Sequence, residues 1–162
     1  MKLGIAISEL AEAEARLAAE LERAGERHKA DHDVHHLSST LANISRAHLE
    51  KLEPFGERYD AKVEPPGDGS ADGGVLGTLR EKASELSGRR EEASLLLLRD
   101  LRRLFLMASE TSLGWTVLGQ AAQAARDEEL LACVSDCHPD TLRQLKWVTT
   151  RLKQAAPQAL TG

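Results

Sequence analysis

Four stretches of this chain repeat apolar residues at alternating intervals of three and four. A series spaced in that way falls on one side of an α-helix, so each stretch is expected to form a long helix that buries one side. The first stripe is Leu3, Ile7, Leu10, Glu14, Leu17, Leu21, Ala24 and His28, and its helix should end near Lys29. In the ADHD that follows, Asp31 and Asp33 are candidate caps for a second helix from about Val34 to Tyr59. Its stripe is Val34, Leu37, Leu41, Ile44, His48, Leu52 and Phe55. A third helix, about Glu91 to Arg126, carries Leu97, Leu101, Leu104, Ala108, Thr111, Trp115, Leu118 and Ala122 on one line. Beside it runs a second line of Leu106, Glu110, Leu113, Val117 and Ala121, a wide face that three neighbours or a partner chain would have to cover. The fourth helix, Asp127 to about Ala156, aligns Leu131, Val134, His138, Leu145, Val148 and Leu152, and AAPQALTG then reads as a frayed end.

The connections decide how four helices pack. The turns at ADHD and near Arg126 are short and make antiparallel neighbours. Between them, residues 60–90 hold Pro65, Pro66, Gly67, Gly69, Gly73, Gly74, Gly77 and Gly88, a stretch with room for at most a short helix around Leu76 to Leu86. A linker of that length inside one domain needs a reason, and a crossover along a bundle supplies it: a 26-residue helix is about 39 Å long, which ~30 residues of chain can span. The expected fold is therefore all-α, an antiparallel four-helix bundle with one long crossover between helices 2 and 3, and residues 1–162 form one domain.

Composition narrows the function classes. Aromatic residues are only 3% of the chain, and the excess of Ala, Leu, Glu and Arg favours helix. A net charge of -5 offers no basic field for a nucleic-acid backbone, and no apolar run approaches the ~20 residues of a membrane span. No targeting segment is evident, so a soluble, cytoplasmic protein is expected. Cys133 and Cys137 are the two cysteines, four apart on a helix, and read as reduced, buried thiols.

The chemistry, if any, lies where ionisable residues interrupt the apolar stripes. Each helix carries one near its middle, in the order Glu14, His48, Glu110, His138. The two histidines share a local pattern, since Ile44-Ser45-x-x-His48 is echoed by Val134-Ser135-x-x-His138. This arrangement resembles the ferritin-like superfamily, whose bundles place a Glu on the first and third helices and Glu-x-x-His on the second and fourth, facing inward around two metal ions. The closing stretch CHPDTLRQLKWVTTRLKQAAPQAL is similar to the stress-associated bacterial branch of that group. The resemblance implies Glu14, Glu110, His48 and His138 as metal ligands and a homodimer as the assembly. Ser45 and Ser135 stand where the family has its paired glutamates. With two carboxylates gone, one divalent ion, iron or manganese, is the expectation, the serines or water completing its shell.

A second reading needs no metal. Glu14 with His48, and Glu110 with His138, would be buried hydrogen-bonded pairs that fix helix register, in a helical dimerisation or interaction protein whose exposed faces near Trp115 and Trp147 meet a partner. Counted from the turns, Glu14 and His48 lie within ~3 Å of the same height, whereas Glu110 and His138 differ by about one turn. Pro139 would bend the last helix beside His138. His28, His32, His35 and His36 with Asp31 and Asp33 read as a capped polar turn, with His28 continuing the first stripe. No phosphate loop, nucleophile elbow or zinc spacing is present, so no catalytic residue is assigned.

Overall fold

The computed structural model describes residues 2–64 and 90–162, apart from the side chains of residues 90 and 91. The described chain is all-helical, with four long helices: α1 (Leu3–Arg27), α2 (His32–Arg58), α3 (Arg90–Ala125) and α4 (Glu128–Thr161). The anticipated crossover and its short helix at Leu76 to Leu86 lie outside the described residues.

Local chemistry sets the helix ends. Asp31 accepts the Val34 amide at 3.2 Å and starts α2, and Asp127 accepts the Leu130 amide at 3.0 Å and starts α4. Asp60 (φ 52°) and Arg126 (φ 57°) take left-handed backbone where α2 and α3 end, which lets Ala61 and Asp127 donate back to the carbonyls of Gly56 and Ala122. The C-terminus departs from expectation. α4 runs through Pro139 and Pro157 to Thr161, so the tail is helical rather than frayed. Ala155 is buried among the core residues near that end, and burial of this kind is what tertiary packing adds to a weak local preference.

The contacts close a ring in the order α1, α2, α4, α3. Gly4 faces Tyr59, Glu14 meets His48, and Gly25 faces Ser38, so numbers rise on α1 as they fall on α2. The same holds for Leu10 with Gly114 and His28 with Asp100 between α1 and α3, and for Ser112 with His138 and Gly119 with Val134 between α3 and α4. α2 meets α4 through Asp31 with Arg151, Leu41 with Gln144 and Arg58 with Asp127.

Between the helices the apolar core falls into two clusters. One holds Leu3, Ile7, Leu10, Leu52, Trp115, Leu118 and Leu130 among others, and the second Leu17, Leu21, Leu41, Leu101, Leu104 and Val148. Separating them along every helix is a buried polar residue: Glu14 on α1, Ser45 and His48 on α2, Thr111 on α3, Thr141 and Gln144 on α4. The stripe expected on α4 is buried at Val134 and Val148 but shifted by one position at Leu131, His138 and Leu145. Leu130, Val134, Cys137, Thr141, Gln144 and Val148 are buried, while Leu131, His138 and Leu145 flank them.

Because Leu104 is 1% exposed and Leu142 50%, Leu104→Ala is expected to lower the unfolding free energy by about 2–5 kcal/mol and Leu142→Ala by less than ~0.5, measured by urea denaturation. The α3–α4 turn gives a pH prediction. Burial raises the Asp127 carboxyl's pKa, but bonds from the Tyr59 hydroxyl, the Leu130 amide and Arg58 outweigh it and hold the pKa down at about 2. A carboxyl depressed in the folded state stabilises above its unfolded value and loses that contribution as pH falls through about 2. Asp127→Asn should therefore be less stable than the native chain at neutral pH, with the gap closing on acidification from the ordinary carboxylate range.

Candidate functional site

Glu14 sits on the core line of α1 between Leu10 and Leu17 and is 0% exposed. A carboxylate in that position must find donors within the protein, because leaving it unpaired in an apolar core is prohibitive. Two reach the same oxygen. The Trp115 indole Nε1 on α3 donates to Oε1 at 2.8 Å, and His48 Nδ1 on α2 lies 2.8 Å from it. The indole N–H can only donate, and a charged carboxylate can only accept, so Oε1 as a carboxylate oxygen takes both bonds with the imidazole proton on Nδ1. The His48 and Trp115 rings meet edge to face, with centroids 5.5 Å apart and an interplanar angle of 81°. His48 Nε2 turns to α4, where the Asp140 carboxylate is 3.7 Å away, beyond hydrogen-bond reach.

Ser45, one turn before His48 on the same buried side, accepts from Gln144 Nε2 at 2.9 Å, and that amide also donates to the Leu41 carbonyl at 2.9 Å. Thr111 spends its hydroxyl on the Met107 carbonyl. All four helices thus contribute to one polar belt at mid-height.

The structure brings together one of the two expected pairs. Glu110, anticipated as an inward ligand, lies on the outer side of α3 with its side chain 60% exposed, where Arg16 Nη2 reaches Oε1 at 3.2 Å. His138 lies level with Ser112 instead, sharing a 2.8 Å hydrogen bond with its hydroxyl, and burial lowers its pKa. Ser135 is exposed and returns its hydroxyl to the Leu131 carbonyl, the ordinary fate of a helical serine. α4 stays continuous through Pro139, and the buried line through Cys137, Thr141 and Gln144 leaves His138 at its edge. Trp115, expected near an exposed face, is 0% exposed. Among the described residues no three His, Cys, Asp or Glu side chains are grouped to hold a metal ion. The four anticipated ligands do not form one donor set, and the residues present do not fit the four-ligand ion that the resemblance implies.

Other polar groups settle into structural roles. His28 is buried against Asp100 at 2.7 Å, with Arg27 2.8 Å from the same oxygen, and His35 bonds the Gly25 carbonyl. Burial raises the Asp100 pKa, but the hydrogen bonds from His28 and Arg27 lower it more. Cys133 and Cys137 are free and buried, as expected of reduced thiols. No helix among the described residues is long and apolar enough to cross a membrane. No protein-family model, curated protein or solved structure matches the chain.

His48→Ala should cost about 3–5 kcal/mol, since it leaves the buried Glu14 carboxylate with one donor. Glu14→Leu combined with His48→Leu should cost less than the sum of the two single changes by about 1–3 kcal/mol, and additive values in that double-mutant cycle would deny the pairing.

Proposed function

We propose that this chain is a helical interaction protein with ferritin-like helix order, in which the Glu14–His48–Trp115 group locks register and the outer side of α3 meets a partner. The ring order supports the antiparallel, ferritin-like part, since α1 lies diagonally from α4, α2 diagonally from α3, and a crossover in residues 60–90 is what would join the last two. The observation that carries the functional part is a contrast on one helix. Trp115 and Thr111 turn inward and find partners, whereas Leu106, Leu113 and Val117 on the opposite side are 69%, 66% and 58% exposed. Aligned apolar side chains of that size left in water mark a surface that associates.

Two buried atoms with no hydrogen-bond partner in the protein, Glu14 Oε2 and His48 Nε2, support the competing reading of a single iron or manganese ion at the belt. The two readings separate on purified protein incubated with Fe(II) or Mn(II) and then desalted. The interaction reading expects no stoichiometric metal, and stoichiometric metal lost in Glu14→Gln would replace it with the metal reading. Use of the face is tested by thiol labelling. Leu113→Cys should react much more slowly than Leu142→Cys at micromolar protein, after subtraction of the native thiols, and equal rates would show that nothing covers α3.

A further inference from the structure

We infer that Cys133 and Cys137 form a two-coordinate site for a soft monovalent metal ion of the Cu(I) class, held between their sulfurs in the seam of α2 and α4. The site is independent of the use made of α3's outer side. Spacing is the first argument. Residues four apart on a helix share a side and set their β-carbons about 5–6 Å apart. Cys133 and Cys137 stand in that relation on the buried side of α4. A disulfide needs β-carbons at roughly 3.5–4.5 Å, so α4 would have to distort to close one. An ion between the sulfurs removes the conflict. With metal–sulfur bonds of about 2.3 Å, as in zinc thiolates, two sulfurs in line with an ion lie about 4.6 Å apart, a span that suits β-carbons at helical spacing.

The surroundings choose the ion. Cys133 Sγ is 3.7 Å from the Lys51 carbonyl of α2, which accepts its thiol hydrogen bond, and the pair shares an apolar cluster with Leu49, Leu52 and Leu130. His138, next in sequence, spends its imidazole on Ser112 of α3. Among the described residues no third His, Cys, Asp or Glu joins the two sulfurs. Zinc takes four ligands and manganese favours a shell of oxygens, so neither is served here. Thiolates select soft ions, and Cu(I) is stable with two of them in line.

Charge and access agree with that choice. Two thiolates and a monovalent ion leave one negative charge, and Lys51 is the cation whose field reaches both sulfurs. The hydrogen bond from Cys137, with the Lys51 charge, holds the Cys133 thiol below its usual pKa in spite of burial. Cys133 is also the more accessible sulfur, 9% exposed against 0% for Cys137. The ion therefore meets Cys133 first, and Cys137 gives up its proton as the second bond forms. One ion replaces two protons, with no change of oxidation state.

The test is a titration of the reduced full chain with Cu(I) under nitrogen, in competition with the Cu(I) chelator bicinchoninate. The native chain should take up one Cu(I), with a thiolate-to-copper charge-transfer band in the near ultraviolet. Cys133→Ser, at the edge of the core, should keep its thermal melting and bind at least about 100-fold more weakly. Excess Zn(II) should leave the bound Cu(I) in place. No uptake by the native chain would overturn the site. Uptake undiminished in Cys133→Ser would also overturn it and move the ion elsewhere, with the histidines of the α1–α2 turn the first place to look. Rapid closure of a Cys133–Cys137 disulfide by diamide in the folded chain, with helix content unchanged, would refute the spacing on which the site rests. None of these results bears on the labelling of Leu113→Cys, so failure here leaves the association reading where it stands.

Discussion

A single buried carboxylate sets the geometry of this bundle. Glu14 has no solvent to turn to, and one of its oxygens takes hydrogen bonds from both Trp115 and His48. Three helices are thereby held at one height, because sliding any of them by a turn would part these groups by more than 5 Å and strand a charge in the core. Apolar stripes alone tolerate such slips, since leucine packs on leucine at many registers.

The fourth helix enters the same belt through amide and hydroxyl chemistry. Gln144 on α4 bonds Ser45 and the Leu41 carbonyl, and Asp140 approaches the free side of His48. The belt therefore divides two apolar clusters that would otherwise be continuous, exchanging hydrophobic contact for a unique alignment. That exchange is the best attested use of buried polar groups in helical proteins. It also accounts for the disposition of the residues that a two-histidine, two-glutamate site would need: the Glu14–His48 half is consumed in alignment, and the other half is on or near the surface.

α3 joins this interior to the outside. It is the helix with apolar residues all around, and the two sides have different fates. Thr111, Trp115 and Leu118 are buried by the chain itself, while Leu106, Leu113 and Val117 are presented with one exposed ion pair at their centre.

Much of this was legible in the residues alone. The α1 stripe from Leu3 to His28 is buried without exception, Glu14 and His48 were placed at one height by counting from the turn at Ala30, and α3's inner line was read correctly from Leu101 to Ala122. The readings that failed did so where polarity misled. On α4 the buried line passes through Thr141 and Gln144, and a pattern built on apolar residues moves one position to Leu131, His138 and Leu145, carrying His138 inward with it. On α3, Glu110 was one member of a second line whose burial the spacing could not decide. Periodicity fixes which residues share a side of a helix, because that follows from 3.6 residues per turn and from nothing else. Which side faces a neighbour, which donor reaches Glu14, and that Arg16 rather than a metal ligand meets Glu110 were decided only when the helices packed, since those are distances between residues as many as 101 positions apart.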